Sequence, residues 1–262
     1  MSVTNAAPSR VEREAFAARV HARAVRKVTR YVAAVGLFMG AFYWGIFLVV
    51  TVALPVIANM AGGVLEGGAM VGAEYSARWF AFSVGIAALA MAVTTHLAAG
   101  GTRRALWLGS LRGSLAVAVP FGAALVVGLV VEGALFEAFG WTHDLPRGSG
   151  LTSGGGWLLV SGLAEALVVA TYLVAAMALG AAYYSHGALV GTLWIPFALV
   201  LLLLTDGALR TGAGDDALTA LLGEERMPGT PVVGFLAGLL LLAVATGWFW
   251  SQLRSITLRP AR

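Results

Sequence analysis

The stretch His96-Leu97-Ala98-Ala99-Gly100-Gly101-Thr102-Arg103-Arg104-Ala105-Leu106-Trp107-Leu108-Gly109-Ser110-Leu111-Arg112-Gly113 separates two long apolar runs, one ending at Leu97 and the next opening at Leu115. Gly100-Gly101 lets the chain change direction, Thr102-Arg103-Arg104 follows, and Leu106, Trp107, Leu108 and Leu111 restore an apolar helical pattern. Two apolar runs of spanning length joined by a short basic turn read as a transmembrane hairpin. The turn is expected on the cytoplasmic side, where Arg is retained. The rest of the chain is placed outward from this turn.

Composition agrees with lipid as the solvent. Of 262 residues, 59% are hydrophobic and only 11% charged, against about 25% charged in a soluble domain. The formal net charge is +4, but the basic residues lie in tails and turns, which is a membrane-topology pattern and not a nucleic-acid surface. The chain has no cysteine, which excludes disulfides, thiolate zinc sites and cysteine nucleophiles. The first thirty residues are charged and contain no short apolar core, so no cleavable signal peptide is expected.

Six spans are predicted, at about Tyr31–Ile57, Trp79–Leu97, Leu115–Phe136, Trp157–Tyr183, Ala188–Thr205 and Pro231–Trp250. Each is close to or above the roughly 20 residues a crossing needs. Pro196 predicts a kink in the fifth. Residues 59–77, with Glu66 and Glu74, read as a Gly-rich outer loop. Residues 206–230 read as the longest outer segment, with an apolar patch over Ala217–Leu222. Ser9 and Glu12 have capping-box spacing, so a helix is predicted to start there. Phe16, Val20, Ala24 and Val28 share one face of it, and Arg19, Arg23, Arg26 and Arg30 a neighbouring face. That pattern describes an amphipathic helix lying in the inner membrane surface among anionic headgroups. The domain reading is a tail and interfacial helix over 1–30, a six-helix membrane domain over 31–250 and a basic tail over 251–262. Seven Lys or Arg precede the first span, three lie in the 103–112 turn and three in the final tail. Only Arg78, Arg147, Arg210 and Arg226 fall on the other side, which puts both termini in the cytoplasm.

The chemistry a sequence motif would announce is missing. The single lysine, Lys27, has no glycine-rich loop before it, so ATP is not bound through a P-loop. There is no Gly-x-Ser-x-Gly elbow and no His-Glu-x-x-His pair, and no metal or cofactor is expected. Glu132 and Glu165 are the acids expected within spans, where a charge costs roughly 2.5–3.5 kcal/mol. Two readings stay open for them: a joint proton or cation site at the outer mouth, or separate structural roles, with Glu132 reaching the interface and Glu165 bound to a hydroxyl or facing a groove. His96 and His186 read as interfacial hydrogen-bonding groups.

The segment from Leu97 to Gly109 resembles the permease subunits of type-2 ABC exporters, in particular a small six-span group. The shared feature is a Gly-x-Thr-Arg-Arg turn after the second span, met here by Gly100, Thr102, Arg103 and Arg104, then an apolar-aromatic, Leu-Gly segment. Leu106 and Trp107 stand where that group often has phenylalanines. The likeness continues through the third span to Glu132 and Gly140-Trp141; beyond that it rests on layout. The resemblance implies a homo- or heterodimer of permease chains in the cell membrane, coupled to separate ATPase subunits, with no catalysis in this chain. Gly100, Thr102, Arg103, Arg104, Leu106 and Trp107 are then the residues expected to meet the partner. The competing class is a membrane-embedded enzyme or stand-alone sensor, which would need polar groups converging at one depth.

Overall fold

The computed structural model describes residues 9–65, 67–141, 149–151, 156–223 and 231–256. In chain order its helices are α1 (Arg10–Met60), α2 (Ala69–Ala98), α3 (Arg103–Ala138), α4 (Trp157–His186), α5 (Ala188–Leu193), α6 (Ile195–Ala208), α7 (Gly212–Leu222) and α8 (Pro231–Arg254). Among the described residues there is no strand. Six segments among the described residues are long and apolar enough to cross a membrane: α1, α2, α3, α4, the α5–α6 pair and α8. The chain is an all-helical, multi-pass membrane protein in its architecture.

The centre is α4. Every residue from Leu167 to Leu179 is buried, as befits a helix apolar all round, and α2, α3, α6 and α8 pack about it. Small residues set the spacing. A Cβ on Gly122 of α3 would lie 2.1 Å from the carbonyl oxygen of Gly162 on α4, so that contact is backbone to backbone. A Cβ on Gly109 or Gly113 would meet Val28 or Val32 of α1 in the same way. Close approach through glycine is how helices associate where lipid supplies no hydrophobic drive.

Two expectations are corrected. The basic N-terminal segment is not a separate interfacial helix but the start of α1, a single helix of 51 residues, about 76 Å long. No proline or glycine separates Arg10 from Val35, and Val25, Val28 and Val32 are buried, so α1 continues alongside α3. Its first turns, with Phe16 and Val20, are exposed. The second span, expected from Trp79, belongs to a helix that opens at Ala69, which carries Glu74 and Arg78 out of the loop and into α2. The fifth span is broken at Trp194, with Pro196 in the opening turn of α6. A ring nitrogen without a hydrogen cannot continue the ladder from α5. The apolar patch after α6 is the helix α7. Glu66, His143, Asp144, Glu224 and Glu225 lie outside the described residues.

The bundle has two ends. At one, the Arg103 end, the guanidinium of Arg103 reaches the Ile256 carbonyl and Val28 meets Gly109. That joins the start of α3 to α1 near Val28 and to the segment that follows α8. At the other, the Arg78 end, α7 covers α6 and touches α2.

Candidate functional site

At the Arg103 end the turn is built as its residues require. Gly100 has φ +76°, a conformation side chains with a Cβ avoid. The Thr102 hydroxyl accepts from the Ala105 amide at 3.1 Å and caps α3. A ring nitrogen of His96 lies 3.2 Å from the Thr102 carbonyl. Arg103 donates to the Ile256 carbonyl at 2.5 Å. Arg104 is exposed and forms no ion pair among the described residues. Arg19, Arg23, Arg26 and Arg30 are exposed on α1.

The apolar part of the turn faces its own chain. Leu106 is 0% exposed within the core. The Trp107 indole donates to the Thr246 carbonyl at 3.2 Å, and its ring lies 5.4 Å from that of Trp250. Leu106 and Trp107, expected among the residues that meet a partner, thus pack within their own chain. α3 begins at Arg103 itself, and a helix starting there directs positions 106 and 107 at its neighbours in the bundle. The outward groups are Thr102, Arg103, Arg104 and, two turns on, Arg112.

The Arg78 end holds the site that a sequence reading misses. Glu74 and Arg78 are one turn apart on α2, the spacing that lets a carboxylate and a guanidinium meet. Arg78 pairs with Glu74. From the same side chain, Nε and Nη2 donate to Glu165 Oε2 of α4 at 3.0 and 2.7 Å. Nη1 lies 3.6 Å from Asp206 Oδ1 of α6. The Tyr172 hydroxyl of α4 donates to Asp206 Oδ2 at 3.0 Å. Arg78 and Glu165 are each 1% exposed, Asp206 2% and Glu74 6%.

Three helices thus deliver one guanidinium and three carboxylates to one place. Arg78, Glu165 and Asp206 stand 20, 21 and 18 residues from Ala98, His186 and Ala188 at the Arg103 end, or about 27–32 Å along their helices. That is roughly the thickness of a hydrocarbon core. Charges so placed persist only when paired. The turn into α7 closes over them. Gly212, at φ +59°, presses its backbone on the guanidinium so closely that a Cβ would lie 2.1 Å from Nη1. The Tyr75 hydroxyl donates to Asp216 at 2.8 Å and fastens α7 to α2.

Glu132 and Glu165, the two acids singled out from sequence, do not form a joint site. Glu132 accepts from the Met70 amide at 3.1 Å, a carboxylate at the positive end of α2. A Cβ on Gly68 would overlap its oxygens at 2.2 Å. Met70 precedes Arg78 by eight residues, about 12 Å along the helix. Glu165 is bound by a guanidinium and not by a hydroxyl. The sequence places Glu74 and Arg78 at an outer loop and gives Asp206 and Tyr172 no role; the Glu-x-x-x-Arg spacing is the available signal. Among the described residues no group of His, Asp or Glu is arranged to hold a metal ion.

Comparison with protein-family models, curated proteins and solved structures finds no match. What fold and site define is therefore a class: a multi-pass helical membrane protein with an ion-paired centre joining α2, α4 and α6.

Proposed function

We propose that the chain is the membrane permease subunit of an ATP-driven exporter of the type-2 ABC class. In this reading both termini are cytoplasmic and two permease chains pair in the cell membrane. A separate subunit hydrolyses ATP, and the cargo is an amphiphile. The observation that carries it is the Arg103 end, an exposed Gly-x-Thr-Arg-Arg turn standing beside the arginines of α1 in a chain without an ATP-binding loop. Guanidinium groups that pair with no carboxylate among the described residues suit an acidic partner surface or anionic headgroups.

The test is co-expression with an ABC ATPase encoded beside the chain, followed by ATPase assay in proteoliposomes. A stable complex is expected, with hydrolysis stimulated by this chain and lowered by Arg104→Glu with Arg112→Glu at unchanged membrane insertion. Absence of a complex, or stimulation indifferent to those substitutions, would remove the reading's support. The Arg78 cluster favours a second reading, a stand-alone membrane sensor or enzyme, because it brings polar groups together at one depth. In that case the chain would act without an ATPase.

A further inference from the structure

The Arg78 cluster has more acid than base. Within it, α2 supplies Glu74 and Arg78, α4 supplies Glu165, and α6 supplies Asp206. The other polar groups around it do not restore the balance. Tyr172 from α4 is neutral. From α7, Asp215 is half-buried, and Asp216 is exposed and bonded to Tyr75. Arg210, in the turn after α6, packs against Gly150. On α3, Glu132 is occupied at Met70. On α1, the Tyr43 hydroxyl is bound to Ala73 and Ser76. The span of α8 has no charged residue before Arg254. With every carboxyl ionised, an enclosed site would hold two uncompensated negative charges.

A second observation locates the imbalance. Glu165 Oε1 is buried and accepts no hydrogen bond, while Asp206 Oδ1, also buried, faces Arg78 Nη1 across 3.6 Å, too far for one. An enclosed carboxylate oxygen with no donor is among the costliest groups a protein can hold. Carboxyls crowded together shed that cost by retaining a proton. A metal cation is a poorer occupant, since it would stand against the guanidinium that these carboxylates already surround.

We propose that the cluster is a proton-binding site, in which at least one of Glu74, Glu165 and Asp206 holds an exchangeable proton at neutral pH. The proton comes from hydronium, which leaves as water; the carboxylate becomes a carboxylic acid and nothing is oxidised or reduced. Glu74, the most exposed of the three, and the Tyr75–Asp216 pair at the rim mark the side from which the proton arrives. The site does not depend on an ATPase partner.

Infrared difference spectroscopy of the full chain in lipid vesicles tests this. A protonated-carboxyl band, shifted by deuterium exchange, is expected in the wild type at neutral pH and lost at alkaline pH. Glu74→Gln, Glu165→Gln or Asp206→Asn should remove or shift it, and Glu132→Gln should leave it. No such band in the folded wild type overturns the proposal without recourse to any variant. A band removed only by Glu132→Gln, or one that survives all three cluster substitutions, overturns it as well. A band displaced by sodium ions at constant pH would mean a cation site instead.

Discussion

Arg78 and Arg104 are the same residue type at opposite ends of one bundle, and their surroundings differ completely. Arg78 is 1% exposed and meets three carboxylates from three helices. Arg104 is exposed at the head of α3 and pairs with no carboxylate among the described residues. The first arginine fixes the positions of helices within the chain. The second is free for something outside it. Whether a charge near a membrane serves architecture or contact is decided by its burial and partners, not by its type.

The largest expected effect is at the buried end. Arg78→Leu leaves three enclosed carboxyls without a cation and should cost about 3–5 kcal/mol, seen as a large fall in thermal unfolding temperature in detergent. Arg104→Leu should change stability by no more than about 0.5 kcal/mol. Equal losses would erase the distinction between the two ends. Next comes Gly122→Val, which forces a side chain into the Gly162 carbonyl. Overpacking of this kind costs about 1–3 kcal/mol and should separate α3 from α4, measurable as a lengthened distance between spin labels on those helices.

Thr102→Ala removes the cap of α3 and should cost about 1 kcal/mol. Faster amide exchange in the first turn of α3 should accompany it, with α2 at Arg78 unaffected. The smallest effect is at the tip of α1. The Ser9 amide, and then its hydroxyl, hold the fully exposed Glu12 carboxyl below the usual carboxylate range. A carboxyl lowered in the folded state contributes at neutral pH, and the contribution is lost as pH falls through the lowered value. Amide NMR shifts of Ser9 and Glu12 should therefore move together on acidification, while the Arg103 turn stays unchanged.

The spans were legible because their signal is additive: apolar residues over about 20 positions need no partner to be recognised. The cluster was not legible because its residues cancel one another in space. Arg78 counted as a loop charge, since Gly67 and Gly68 together with Glu66 and Glu74 read as loop. Asp206, after four leucines and Thr205, read as the end of a span. Glu165 stood out only because it lies within an apolar run. Its partner is 87 residues away, and no local window joins them. The long first helix was missed for the opposite reason, because a change from basic to apolar surface looks like a boundary although the backbone has no cause to break there.

The central claim is that Arg78 and Glu165 exist for one another. A double-mutant cycle with Arg78→Leu, Glu165→Leu and the pair, read by thermal unfolding of the full chain in detergent, measures this directly. The account predicts strong coupling, with the double variant more stable than Arg78→Leu alone because one enclosed carboxylate has gone with the cation that served it. Simple addition of the two single losses would contradict it.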